Sequence, residues 1–345
     1  MILKIGKNIL STALADHCKQ FPRRWVMISD AHVAPLWGET LKDYLHIDLI
    51  TFPAGEIHKT RETKQQLEDA LFEKHYGRDT GLIALGGGVV TDIVGFLAST
   101  YCRGVPVIYA PTTFLAMVDA SIGGKTGVDT PFGKNLIGSF YQPQAVFMDI
   151  ATLDTLPERE WREGLVETLK HGLIMDAPLI QKLHLPHSEQ RLLNIVHQSV
   201  SIKQNIVNQD THDHGIRQWL NFGHTIGHAI ETLENFRISH GEAVAIGLIV
   251  EAYISALSGF LDFSVVNDIE HILRTYQLPL KTMAFQQINA INNIMGLDKK
   301  SLKNIPHFVL LEGVGKVRSF NNQFTFPVEP QILDQALNWA KRFTL

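Results

Sequence analysis

Cysteine is nearly absent: Cys18 and Cys102 are the two in a chain of 345 residues. So few exclude a disulfide framework and favour a reducing compartment. Positive charge is not in excess either. Lys and Arg number 31 against 35 Asp and Glu, a net charge of −4, which argues against a nucleic-acid partner because no surplus is left to neutralise phosphates. Long apolar runs are missing too. The longest towards the C-terminal half, Ala243 to Val250, stops at Glu251, far short of the roughly 20 residues that span a bilayer, so no membrane partner is expected. The opening MILKIGKNIL has neither the apolar core nor the cleavage site of a secretory signal. A cytoplasmic protein is expected. There is no internal repeat and no low-complexity tract. What remains, 45% hydrophobic and 19% charged residues, is ordinary globular composition, and 345 residues exceed one typical core and imply two domains.

The first half alternates short β-branched runs with helical patterns. Trp25–Ser29, Ile47–Phe52, Gly81–Leu85, Val105–Ala110 and Ala145–Ile150 read as strands. Glu62–Tyr76 reads as an amphipathic helix, with Leu67, Ala70 and Leu71 on one face, and a second helix follows Gly86-Gly87-Gly88 as far as Thr100. Such alternation predicts an α/β, Rossmann-like domain with a mostly parallel sheet. The pattern changes near Thr152. From Glu158 to about Gln277 nearly everything reads as helix, 307–326 reads as a small strand pair, and a terminal helix closes the chain. The expected domains are 1–151 and a mainly α-helical 152–345.

Gly86-Gly87-Gly88 stands where a strand ends and a helix begins. Glycines there let a phosphate approach the backbone, beside unpaired N–H groups and the positive end of the helix dipole. The G-x-G-x-x-G fingerprint is absent, so a standard dinucleotide fold is not specified. Asp92, one turn into that helix, is out of place beside an anion unless it faces a ribose or a second cation. Two lysine-bearing loops follow, Ile122–Gly127 and Phe132–Asn135. Glycine beside lysine offers N–H donors and an ammonium to an anionic substrate. The first loop is not a P-loop, because Asp119 occupies the place of the leading glycine.

Histidine is where the chemistry concentrates. His224 and His228 are four apart and share a helix face, and His240 follows beyond a non-helical stretch containing Asn235 and Phe236. Glu167 and Lys170 lie one turn apart among Leu165, Val166, Leu169 and Leu173. The plain reading of Glu167 and Lys170 is a half-buried ion pair. Beside histidines, Glu167 would instead complete a one-carboxylate, two-imidazole set suited to a catalytic zinc. Spacing does not say which two histidines join it; helix geometry alone favours His224 with His228.

Taken in order, GGGVVTDIVGFLAS, RGVPVIYAPTT, VDASIGGKTGVD, GKNLIGSFYQP, GLVETLKHG, LNFGHTIGHAIE and HGEAVAIG resemble the 3-dehydroquinate synthases, a branch of the sugar-phosphate cyclases distantly related in fold to metal-dependent glycerol dehydrogenases. The resemblance covers roughly residues 50–260. It implies an NAD-binding α/β domain, an α-helical metal domain and an active site in the cleft between them. The implied activity is a phosphate-eliminating cyclisation of a sugar phosphate that uses NAD and one divalent metal, zinc first and cobalt second, in a homodimer.

The resemblance also implies roles by position. The metal falls to Glu167, His224 and His240, leaving His228 to the substrate. Lys125, Lys134 and Asn135 surround phosphate and cofactor. Asp119, Lys170, Lys203, Asn221 and His228 contact ring hydroxyls, and Arg217 with Lys299 or Lys300, here Lys300, takes a carboxylate. Arg103 reaches a neighbouring subunit's phosphate site. NAD contacts fall on Asp30, Glu56, Lys59, Gly87, Gly88, Val89, Asp92, Thr112, Thr113, Lys125, Lys134, Thr152 and Thr155. The sequence departs from the pattern at Thr91, usually Gly, at His32, usually a small polar residue, and at Asp213, usually Glu. A cyclase acting on a substrate without a carboxylate is the near alternative, and Arg217 with Lys300 argues against it. A polyol dehydrogenase would have no use for two Gly-Lys loops and normally carries Asp in its metal site. An NAD sensor would not need the three metal ligands.

Overall fold

Six strands of the N-terminal half pair in parallel, side by side in the order Ile2–Gly6, Ala145–Asp149, Val107–Pro111, Thr80–Gly86, Arg24–Asp30 and Asp48–Phe52. The computed structural model describes residues 1–183, 188–235, 237–297 and 305–345. It forms two compact units, Met1–Gly164 with Ser188–Val200, and Leu165–His187 with Ser201–Leu345.

In the first unit the order along the chain is β1 (Ile2–Gly6), α1 (Leu10–Gln20), β2 (Arg24–Asp30), α2 (Glu39–Leu45), β3 (Asp48–Phe52), α3 (Arg61–Glu73), β4 (Thr80–Gly86), α4 (Gly88–Thr100), β5 (Val107–Pro111), β6 (Lys125–Thr130), β7 (Gly133–Phe140) and β8 (Ala145–Asp149). The central strands β4, β5 and β8 are buried at every position. That is the signature of a parallel sheet covered on both faces, and explains their continuous apolar runs. One face packs Leu10, Ala13 and Leu14 of α1 and Leu41 of α2 against Met27, Ile83, Ile108 and Phe147. α4 packs against β4, β5 and the hairpin β6–β7. The helix expected to reach Tyr76 ends at Glu73. Tyr76 is buried beyond it, and its carbonyl accepts a hydrogen bond from the Tyr101 hydroxyl at 2.6 Å. The two lysine loops run into strands. Lys125 opens β6 and Lys134 lies in β7, antiparallel with Lys125 opposite Phe140 and Thr130 opposite Gly133. Glycines that face one another, Gly127 and Gly138, hide the strand period from a sequence reading.

The second unit is helical. It contains most of α5 (Glu158–Met175), α6 (Ala177–Leu183), the second part of α7 (Glu189–Gln209), α8 (His224–Leu233), α9 (His240–Leu257), α10 (Phe263–Thr275), α11 (Ile288–Leu297) and α12 (Pro330–Ala340). The expected strand pair is two small antiparallel pairs: β9 (His307–Phe308) with β12 (Phe326–Pro327), and β10 (Leu311–Gly313) with β11 (Lys316–Val317). α9 is long and apolar enough to cross a membrane by composition, with a mean hydropathy of 1.3, yet 78% of it is buried. It is the core helix of this unit, packed by α8, α10 and α12.

Candidate functional site

The carboxyl ends of adjacent parallel strands converge on one edge of the first unit. Asp30 ends β2, and its Oδ1 accepts from the N–H groups of His32 (2.8 Å) and Val33 (2.9 Å). Gly86 ends β4, Gly87 is the N-cap of α4 with no side-chain cap, and Gly88 and Val89 form its first turn. Thr112 and Thr113 follow β5, with the Thr112 N–H bonded to the Gly86 carbonyl at 3.0 Å. After β8 a 3-10 turn holds Thr152, whose hydroxyl donates to the Asp149 carbonyl, and Thr155, whose hydroxyl accepts from Trp37 Nε1 at 3.2 Å. This is the crevice in which an open parallel sheet binds a dinucleotide. The uncapped start of α4 presents free N–H groups, and the buried Thr112 Oγ1 has no hydrogen-bond partner among the described residues. The residues present therefore fit a pyrophosphate-bearing cofactor. Thr91 does not obstruct it: the side chain is buried and its hydroxyl turns back to the Gly88 carbonyl at 3.0 Å.

Lys59 and Asp92 pair at 2.5 Å, with side chains 5% and 19% exposed. Asp92 thus faces a cation of its own chain. Burial lowers the Lys59 pKa, but Asp92, Glu56 and Asp129 outweigh it and raise the ammonium above the ordinary lysine value. Asp129 ties the hairpin to this pair: its N–H donates to the Lys59 carbonyl at 2.7 Å, and its Oδ1 accepts from the Asn135 N–H at 2.8 Å. Asn135 itself adopts φ +53. Lys134 Nζ stands 3.9 Å from Glu56. Asp119 sits in the short helical turn Ala116–Ala120. Arg103, exposed and at φ +70, lies in the turn after α4, at the opposite end of the sheet from the crevice.

In the second unit Glu167 is fully buried on α5 and ion-pairs with Lys170, which is also buried. His224 Nε2 and His240 Nε2 each stand 3.6 Å from Glu167 Oε1, and the three ligand atoms lie within 4.8 Å of one another. Donors bound at about 2.1 Å in a tetrahedral shell lie roughly 3.4 Å apart, so 3.6 Å is close to an edge of such a shell and too long for a hydrogen bond. The other ring nitrogens are committed. His224 Nδ1 donates to the Phe222 carbonyl at 3.1 Å, and His240 Nδ1 to Glu231 Oε2 at 3.3 Å. Both bonds turn the Nε2 atoms towards Glu167, the arrangement of metal-binding histidines. Burial lowers the His240 pKa, while Glu167 and Glu231 override it and raise it to about 10. The side chain keeps 31% of its surface exposed, so solvent screens part of that attraction. The point where these groups meet calls for positive charge, and the donor set fits a divalent ion.

His240 is the first residue of α9, held by a capping box: the Ser239 hydroxyl accepts from the Glu242 N–H, and Glu242 accepts from the Ser239 N–H at 2.7 Å. His228, one turn into α8, groups instead with Glu231 and His240. The His224–His228 pairing that helix spacing favoured is thus not the one that meets Glu167. Lys203 is buried on α7, and Asn221 ends the 3-10 turn Ile216–Asn221. Arg217 is buried, with Nη1 donating to the Thr211 carbonyl at 2.8 Å. Asp210 holds its loop through the N–H groups of His214, Gly215 and Arg217. Asp213 sits in that loop at φ +65. Lys299 and Lys300 lie outside the described residues.

Two family models match consecutive stretches of the chain, 3-dehydroquinate synthase N-terminal over residues 49–163 and 3-dehydroquinate synthase C-terminal over 164–301. The 3-dehydroquinate synthase of Legionella pneumophila (strain Corby) is 41% identical over 301 residues, 84% of this chain and 81% of that protein. The chain belongs to the 3-dehydroquinate synthase family. It is an enzyme of cyclase and lyase type. Solved cyclases share the fold. A 2-deoxy-scyllo-inosose synthase complexed with carbaglucose-6-phosphate, NAD+ and Co2+ is 26% identical with a TM-score of 0.85, covering 97% of this chain and 95% of that one. The 2-epi-5-epi-valiolone synthase of Streptomyces hygroscopicus with NAD+ and Zn2+ is 26% identical with a TM-score of 0.86, covering 99% and 96%. Within the family frame, Glu231 and Asp129 are partners that sequence spacing did not single out. Their only signal was a carboxylate near a histidine or lysine in a segment already rich in both.

Proposed function

We propose that this chain converts 3-deoxy-D-arabino-heptulosonate 7-phosphate to 3-dehydroquinate and phosphate, with NAD+ and one divalent ion, zinc before cobalt. The observation that carries the reading is Glu167 with two imidazole Nε2 atoms 3.6 Å from one of its oxygens, in a chain of this family. When bound, the ion would supply Lewis acidity to a substrate oxygen and NAD+ a reversible hydride acceptor. Everything else falls to the chain. Glu167, His224 and His240 hold the ion. Asp30, Glu56, Lys59, Gly87, Gly88, Val89, Asp92, Thr112, Thr113, Lys134, Thr152 and Thr155 hold the cofactor. Lys125 neutralises phosphate and Asn135 donates a hydrogen bond to it, and Arg103 neutralises the phosphate of a second copy of the chain, which makes the working unit a homodimer. Asp119, Lys170, Lys203 and Asn221 bind ring hydroxyls and fix one conformer at a time, the main catalytic contribution where a flexible substrate must pass through several. His228 moves protons. Arg217 reads the carboxylate, its planar fork matched to two oxygens, together with Lys300. We assign the cofactor to residues 1–151 and the metal to 152–345, and place the protein in the cytoplasm.

The test is phosphate release from the heptulosonate phosphate with and without added NAD+, while absorbance at the NADH band is followed. Release without net NADH is expected. Stoichiometric NADH would replace the reading with a dehydrogenase. Turnover of a sugar phosphate lacking the carboxylate, at the same efficiency, would replace it with another cyclase.

A further inference from the structure

Glu251 is fully buried in the middle of α9, and the reaction assigned above gives it no task. A buried carboxylate persists only where donors meet it. Here the Gly223 N–H donates to its Oε2 at 2.7 Å and the Ile226 N–H to its Oε1 at 3.1 Å. Both donors belong to the first turn of α8, whose N-cap, Gly223, has no side chain to cap it. Glu251 therefore caps α8 from another helix, with its charge at the favourable end of the helix dipole.

The close approach is built into the backbone. Gly223 adopts φ +82, and a Cβ on Gly247 would stand 1.9 Å from the Gly223 carbonyl oxygen. Residue 251 lies one turn after 247 on the same face of α9, which brings its carboxylate to the Gly223 N–H. That N–H and the Phe222 carbonyl belong to one rigid peptide unit. One side of the unit donates to Glu251, and the other accepts from His224 Nδ1 at 3.1 Å.

We propose that Glu251 is a positioning residue for His224: it fixes the plane of the Phe222–Gly223 peptide, and that peptide fixes the imidazole. α9 thus carries His240 at its first residue and the clamp on His224 three turns later. The proposal rests on the metal-ligand reading of His224, and the experiment separates the two. Glu251→Gln keeps the shape but can accept from only one of the two N–H groups, so the peptide loses an anchor. Its Zn2+ dissociation constant, read by chelator competition, is expected to rise about ten- to a hundredfold, as for other outer partners of metal-binding histidines. The d–d bands of the Co2+-loaded variant are expected to shift, which a cap that merely stabilised the fold would not cause. If Glu251→Gln matches the parent in affinity and spectrum while His224→Ala loses the ion, the positioning role is refuted and the metal reading stands. If His224→Ala itself binds Zn2+ as the parent does, the metal reading fails and the proposal falls with it. Should the glutamine variant not fold, Glu251→Asp keeps the charge and withdraws it by one methylene; parental Zn2+ affinity in that variant would overturn the proposal.

Discussion

Removing the charge of Asp92 should reveal how much the first unit depends on one buried pair. Lys59 and Asp92 meet at 2.5 Å with side chains 5% and 19% exposed. Removing one partner of a buried pair typically costs about 3–5 kcal/mol, because the remaining charge stays desolvated. Asp92→Asn keeps an acceptor for the Lys59 ammonium, and Glu56 and Asp129 still attract it, so the expected loss is at the lower end, about 3 kcal/mol. At roughly 2–4 °C per kcal/mol for a unit of this size, calorimetry should show Tm lower by about 6–12 °C. Cofactor affinity should fall too, since both residues belong to the proposed NAD set. The double variant Lys59→Met with Asp92→Leu separates the two effects. It should recover most of the stability, as apolar replacements of buried pairs commonly do, and none of the NAD+ affinity. An Asp92→Asn protein within about 0.5 kcal/mol of the parent, the range of surface substitutions, would show that the pair is not desolvated as described.

Other outcomes follow from the two sites. Metal analysis of single alanine variants should find the ion lost from Glu167→Ala, His224→Ala and His240→Ala and kept by His228→Ala; the reverse for His240 and His228 would overturn the ligand set. Mixed Arg103→Ala and Lys125→Ala subunits, each inactive alone, should regain activity in hybrid dimers, and confirmed subunit exchange without recovery would place Arg103 outside any shared site. Burial pushes the Cys18 thiol up to about 11, so its alkylation at pH 8 should be roughly a hundredfold slower than that of an ordinary thiol and should rise towards pH 11. Because the folded state holds that proton and the unfolded state releases it nearer pH 9, stability should fall, not rise, across that interval. Equal labelling rates in native and denatured protein would refute the burial.

Elements whose own residues carry the pattern were legible. β4, β5 and β8 are continuous apolar runs, and α4 follows its glycines to Thr100 as expected. The hairpin β6–β7 was not, because its facing glycines and threonines carry neither strand nor helix period. At the proposed metal centre the residue types were legible and the partners were not. Helix spacing joined His224 to His228, whereas the structure turns His224 and His240 to Glu167, since a capped helix start can deliver a side chain where a helix face cannot. Glu231 and Glu251 act across 9 and 28 residues, distances at which sequence carries no geometric signal. Asp92 looked misplaced for the same reason: its partner Lys59 is 33 residues earlier.

The edge strand β1 has a consequence for how the chain is made. Among the described residues it pairs only with β8, Ile2 opposite Ala145 through Gly6 opposite Asp149, and Asp149 also accepts from the N–H groups of Asn8 and Leu10. Residues 2–6 therefore have no partner until about 140 more have been synthesised, a wait of roughly 7–30 s at about 5–20 residues per second. During that time an unpaired apolar strand is open to other edges and to proteases. Nascent chains arrested before Asp149 should be cleaved near the N-terminus, and chains arrested well beyond it should resist; equal cleavage would mean that β1 is sheltered by something other than β8.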